Sequence, residues 1–183
     1  MNITEKDLEV LRSYKNKPNE NDVRYKEIIK QVLLENDLIP FLIDNKELED
    51  ADAENDEYFN INILPYYMIP DTQTNVKNFI CYEISFDDVA RYNTAIKVQQ
   101  IIFHILCRDK QNYVQEVGCC RHDLISAVII DLFQGSNIFG NQLKLISNKP
   151  GTTDNHYCTR TLIFEQQTTN SLTKQNGRSF NLR

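Results

Sequence analysis

The densest group of reactive side chains is Cys119-Cys120-Arg121-His122, and Cys107, His156 and Cys158 could join it through the fold. Thiolates and imidazoles are the ligands zinc prefers. Zinc sites usually take cysteines in pairs from C-x2-4-C loops, whose geometry turns two thiolates toward one ion. Adjacent cysteines do this poorly, and His156-x-Cys158 lies within or beside a strand, so spacing argues against zinc. A nucleophilic pair, Cys119 or Cys120 with His122 or His156, is the other chemistry available, because a helix N-terminus lowers a thiol's pKa. Such a pair also needs an orienting group and an oxyanion donor set, and no family motif supplies them. The expectation is therefore buried, inert cysteines. His104, between Phe103 and Ile105, is expected to reach the second sheet face and accept one hydrogen bond.

Other chemistries are weaker. No G-x-x-x-x-G-K-[ST] or G-x-G-x-x-G occurs, and five scattered glycines cannot build a phosphate cradle. Asp44–Glu57 holds eight acids and one lysine. It lacks the glycine and the D-x-D-x-D-G spacing of a calcium loop, and reads as an exposed loop or frayed helix. A net charge of −6 lacks the basic stripe that neutralises phosphates, which disfavours nucleic acid as the main partner except for the Lys174–Arg183 tail. The expectation is a protein with no catalytic residue, no metal and no cofactor.

The elements around these residues read as follows. Thr4 caps a short helix lined by Leu8, Leu11 and Tyr14, which Lys17-Pro18-Asn19 breaks. Asn21 or Asp22 caps a second over about 22–36, where Tyr25, Ile28, Ile29, Val32 and Leu33 recur at helical spacing. Asn36-Asp37 ends it, with Pro40 just beyond. Ile61–Tyr67 is an extended edge segment stopped by Pro65 and Pro70. Phe79–Asp87 alternates, with Ile80, Tyr82, Ile84 and Phe86 on one face. In Ala95–Cys107 the apolar phase slips at Gln99-Gln100, which predicts a β-bulge. Arg108–Gln115 is a polar loop.

Cys119–Gln134 is the central helix. Leu124, Ile125, Val128, Ile129 and Leu132 form its apolar face, Phe133 flanks it, and Arg121, Asp123 and Asp131 lie off it. Gly135 fits a left-handed C-terminal cap. Leu143–Ser147 and Cys158–Gln166 are strands, separated by an Asn148–Asn155 turn or long hairpin loop containing Pro150-Gly151. The resulting β-β-α-β-β block defines an α+β class: a mostly antiparallel sheet of four to five strands, packed with an N-terminal and a central helix. Residues 1–170 form one domain and 171–183 a basic arm. The longest apolar run, Ile101–Cys107, is too short to span a bilayer, and no apolar leader precedes it. The chain is expected to be soluble and intracellular, or part of a particle assembled inside a cell.

Charge is uneven. Residues 1–57 hold 8 Lys+Arg against 16 Asp+Glu, and residues 58–183 hold 12 against 10. No acid follows Glu165, while Lys174, Arg178 and Arg183 remain.

An order of elements emerges from the N-terminal helix, Ile63-Leu64-Pro65-Tyr66-Tyr67-Met68-Ile69-Pro70, Ile80-Cys81-Tyr82-Glu83-Ile84 and Val98–Cys107. It continues through Arg121-His122-Asp123-Leu124-Ile125-Ser126 and Thr159-Arg160-Thr161-Leu162-Ile163-Phe164. Over roughly residues 20–170 this order resembles the tail terminator (tail completion, head–tail joining) proteins of tailed bacteriophages. The resemblance implies a virion protein, assembled in the host cytoplasm. Such proteins form rings, commonly hexameric, that cap the tail tube and dock to the neck, with DNA passing through the lumen, and use no cofactor and no catalysis. The acidic Asp44–Glu57 stretch departs from the compact family pattern. A ring would use the 79–107 sheet edge and the C-terminal arm, with Arg108, Lys110, Lys174, Arg178 and Arg183 as interface residues. Two alternatives stand beside it: a small intracellular binding or regulatory domain, and a cysteine-dependent enzyme.

Overall fold

The structure, a computed structural model, describes residues 4–14, 21–51, 54–68, 77–87, 96–153 and 156–169. Its helices are α1 (Glu5–Tyr14), α2 (Asn21–Leu34), α3 (Leu38–Ile43), α4 (Lys46–Glu49) and α5 (Arg121–Phe133). Its strands are β1 (Ile63–Leu64), β2 (Phe79–Asp87), β3 (Ile96–Arg108), β4 (Tyr113–Val114), β5 (Cys119–Cys120), β6 (Lys144–Thr153) and β7 (Tyr157–Thr169). Five strands form one sheet in the order β1-β2-β3-β7-β6, and β4 pairs with β5 in a small ribbon. Every pairing in the large sheet is antiparallel except β1 with β2. The α+β class and the β-β-α-β-β order read from the sequence are therefore those of the structure.

Helix starts follow local chemistry. The Thr4 hydroxyl accepts from the Asp7 N–H at 3.3 Å, and the Asp7 carboxylate accepts from the Thr4 N–H at 2.9 Å, a reciprocal capping pair. On α2, Tyr25, Ile29 and Leu33 are buried, and the Tyr82 hydroxyl donates to the Lys26 carbonyl at 3.1 Å. Pro40 does not stay outside a helix. It is the third residue of α3, where the missing N–H has no intrahelical partner to lose. The left-handed Asp44, φ 54°, then closes α3.

The acidic segment is more ordered than a loop. It forms α4 and a 3-10 turn over Asn55–Tyr58, with Asn45 and Tyr58 buried beneath it. Asn45 is one of three buried asparagines in a chain. Its amide donates to the Asn62 side-chain oxygen at 2.7 Å, and Asn62 donates to the Asn78 carbonyl at 2.9 Å. Asn78 in turn donates to the Ile43 carbonyl at 2.8 Å and accepts from the Arg108 N–H at 3.0 Å. Buried polar groups must be satisfied, and this chain does so while tying α3, β1, β2 and β3 together.

The predicted bulge at Gln99-Gln100 is absent. β2 and β7 pair with β3 in unbroken register through those residues. The apolar phase slips because Lys97 and Gln99 themselves occupy the core face, both buried. The Lys97 ammonium lies 3.9 Å from the Phe86 ring centre, and the Gln99 oxygen accepts from the Gln166 amide at 3.2 Å. The irregularity of the sheet falls instead in β6, between Leu145 and Ser147.

Pro150-Gly151 is likewise not a turn. It continues β6, where Pro150 faces Arg160 and Gly151 faces Thr159. An edge strand tolerates proline because its outer N–H groups have no ladder partner. A Cβ on Gly151 would come within 2.9 Å of the Thr159 hydroxyl, so the close approach suits glycine. Gly135 does take the left-handed conformation expected of it, φ 76°.

Helices α2, α3 and α5 pack on one face of the sheet. Phe103 centres that core, with ring centroids 5.0 Å from Phe133, 5.9 Å from Phe164 and 6.3 Å from Tyr82. His104 points to the other face, as its position in β3 requires. There its Nδ1 lies 3.4 Å from the Thr161 hydroxyl, its Nε2 3.6 Å from Glu83, and its ring 4.5 Å from that of Tyr67.

Candidate functional site

The chemistry-bearing residues converge at the N-terminus of α5. Arg121 opens this helix and is buried, not turned off the apolar face as its charge suggests. It shares the i, i+4 stripe of Ile125, Ile129 and Phe133. A cation gains nothing from a helix N-terminus, so its three acceptors hold it there. Nε donates to the Gln111 carbonyl at 2.9 Å, one terminal nitrogen to the Leu42 carbonyl at 2.6 Å, and the other to the Asp44 carboxylate at 3.0 Å. One guanidinium fork thereby fastens α3, the Asp109–Gln111 turn and α5.

Cys120 occupies the N-cap position in extended conformation but makes no side-chain cap. Asn112 caps the helix from outside. Its carbonyl accepts the Arg121 N–H, and its side-chain oxygen accepts the His122 N–H at 3.2 Å. The same side-chain oxygen lies 2.8 Å from His122 Nδ1. Two of the helix's free N–H groups are thus satisfied by a residue nine positions upstream.

The other His122 nitrogen, Nε2, lies 3.3 Å from Asp123 Oδ1, and the Arg160 guanidinium pairs with the same oxygen. Arg160 also donates to Asn148 at 2.7 Å. Cys120, His122 and Asp123, all half-buried, place a sulfur, a ring nitrogen and a carboxylate oxygen within 4.8 Å of one another. Burial holds the His122 imidazole below its ordinary pKa, with Arg160 adding to this and Asp123 opposing it. Burial raises the Cys158 thiol pKa, with Asp109 and Cys120 adding to this and the Asn112 side chain opposing it.

The five cysteines divide. Cys81 and Cys107 are buried, and burial pushes the Cys81 thiol up to about 11 and also raises Cys107 strongly. Cys119 is exposed, contrary to the expectation of uniform burial. β5 ends the small ribbon at the surface, and its Cys119 pairs only with Val114. His156 is exposed and its Nδ1 lies 3.4 Å from Asp109, while Cys120 and His122 are brought within 4.8 Å of one another. Asn112, Asp123 and Arg160 are the members that sequence reasoning missed. Only Asp123 carried a signal, an acid in the first turn of a helix.

Of the interface residues expected from the sequence, Arg108 and Lys110 sit together at the end of β3. Arg108 is half-buried against Tyr157, and Lys110 is exposed in the Asp109–Gln111 turn. Lys174, Arg178 and Arg183 lie outside the described residues. The acidic segment spends part of its charge internally. Asp44 pairs with Arg121 and Lys46, Glu47 with Lys77, and Glu49 with Lys46.

Among curated proteins nothing matches this chain. A family model, YomW, matches residues 13–166, which is 154 of the 183 positions and spans every element described above except α1 and the last three residues of β7. The family carries a gene name of SPBc2-like Bacillus phage, which marks a phage derivation. With most of its length matched, including the whole sheet core and the α5 cluster, the chain belongs to the YomW family.

Proposed function

We propose that this chain is a structural protein of a phage or phage-derived particle, a ring-forming subunit that caps the tail tube and joins it to the head. The observation that carries the reading is the open sheet of a phage-family protein. Among the described residues, β1 covers only Ile80 and Cys81 of β2, and β6 presents ten residues as an outer edge. Unpaired ladder groups along an edge are a template for a neighbouring chain, and cyclic closure satisfies every edge at once. Phe86 and Ile146, on these two strands, are 42% and 44% exposed, which adds apolar contact area at both edges. The partners implied are further copies of the chain, six in a typical ring, together with tail-tube and neck proteins. DNA would pass the lumen unbound, since an acidic wall repels it. Arg108 and Lys110 would meet a neighbour's free acids; Asp50, Glu54, Asp56 and Glu57 are acids of the 44–57 segment that form no ion pair among the described residues.

The test is made in the particle. Deleting the gene should leave heads and tails unjoined or tails of irregular length in electron micrographs, and mass spectrometry should find the protein in purified virions. Intact virions lacking the protein would overturn the reading and favour a regulatory role.

A further inference from the structure

We propose that Cys120, His122 and Asp123 form a binding site for a divalent transition-metal cation, with zinc the best chemical match. The site is independent of ring formation and stands on the geometry at the start of α5.

Two observations point to a cation. The first is the donor set. A thiolate, an imidazole and a carboxylate suit a borderline-soft ion and are poor ligands, taken together, for magnesium or calcium. Metal–ligand bonds of about 2.0 to 2.3 Å imply donor–donor edges of roughly 3.3 to 3.8 Å around a tetrahedral ion. His122 Nε2 and Asp123 Oδ1 are already 3.3 Å apart, and a ring nitrogen, a carboxylate oxygen and the Cys120 sulfur lie within 4.8 Å of one another.

The second is the tautomer of His122. The Asn112 side-chain atom facing Nδ1 must be its oxygen, because the same atom accepts the His122 backbone N–H. Oxygen there makes Nδ1 a protonated nitrogen, so the neutral imidazole keeps its lone pair on Nε2. That lone pair then faces a carboxylate oxygen, acceptor against acceptor. A proton on Nε2 or a metal cation between the two atoms resolves the conflict, and toward a metal Asn112 plays the part that orienting groups play behind ligating histidines. The Arg160 guanidinium on Asp123 offsets part of the carboxylate charge, so the site is built for a moderate rather than an extreme affinity. The spacing argument against zinc weighed Cys119 with Cys120; the folded chain replaces Cys119 by Asp123, one turn into the helix.

Titrating purified full-length protein with cobalt(II) reads the site directly, because a thiolate-to-cobalt charge-transfer band and the ligand-field spectrum report sulfur ligation and coordination number. The expected result is one equivalent bound with a thiolate band, displaced by zinc. Cys120→Ser should abolish the band, and His122→Ala should weaken binding at least tenfold. Cys119→Ser should change neither. Zinc should also raise the melting temperature of the wild type but not of Cys120→Ser, with circular dichroism confirming that both variants fold. No thiolate band in the wild type, or an unchanged titration in both Cys120→Ser and His122→Ala, would overturn the proposal. So would equal loss in Cys119→Ser.

Discussion

On the helix-covered face of the sheet, Ile101, Phe103 and Ile105 of β3 are fully buried; on the other face, bare of helices among the described residues, their neighbours Gln100, Ile102 and His104 are half-buried. Both rows come from one strand, and the period of two assigns them. The covered face is apolar until Lys97 and Gln99. The bare face carries a cross-strand polar row, in which Gln100 donates to Glu165 at 2.8 Å and meets Ser85 at 3.4 Å. Its apolar members gather at one end, where Leu64, Phe79, Cys81, Leu106 and Tyr157 form a satellite cluster with Met68. The difference teaches that the stability of this chain is concentrated on one side of the sheet. The other side has side chains to spare for contacts.

The largest expected effect tests that contrast at adjacent residues. Phe103→Ala should cost about 4 kcal/mol in urea unfolding, from lost aromatic burial and a cavity against Phe133 and Phe164. Ile102→Ala, one residue along, should cost only about 1 kcal/mol, since its site is half-open to solvent. Equal losses would break the comparison.

Next come the polar anchors beneath the covered face. Arg121→Ala leaves two carbonyls without their donor and Asp44 with Lys46 as its remaining cation, and should cost about 3 kcal/mol, with Arg121→Lys recovering little because one ammonium cannot reach three acceptors. Asn62→Ala breaks the asparagine chain at its middle and should cost about 2 kcal/mol, as it leaves buried partners unsatisfied.

The thiols sharpen the contrast without a change in stability. A thiol reagent should modify Cys119 rapidly in the native protein, while Cys81 and Cys107 should react only on unfolding, read by mass spectrometry of the labelled peptides. The smallest effect belongs to His104 on the bare face. Burial holds its imidazole below the ordinary value, with Glu83 opposing. The unfolded chain therefore binds a proton first, and stability should fall as pH drops through the ordinary histidine range near about 6.5. His104→Gln should flatten that slope between pH 7 and about 5.5 without abolishing it, because His122 is shifted the same way.

The legibility of the molecule follows the range of the interactions involved. Alternation in Phe79–Asp87 and the apolar residues of 121–133 are local patterns, and the strands and helix they predict are present. The bulge at Gln99-Gln100 and the turn at Pro150-Gly151 failed for a non-local reason. The polar pair on the core face meets Gln166 of β7 and Phe86 of β2 across the sheet. Pro150 is tolerated only because β6 ends the sheet. The asparagine chain was invisible because its members stand 17 and 16 residues apart.

The sequence by itself determined the element types, their order and the α+β class, because periodicity and capping act within a few residues. Tertiary structure alone decided that Arg121 would be buried and which cysteine would stay exposed. It also decided that Asn112, Cys120, His122 and Asp123 would meet at one helix start. Those outcomes depend on which acceptors and donors the completed sheet and helices bring within hydrogen-bonding distance, and no local pattern in the chain encodes that encounter.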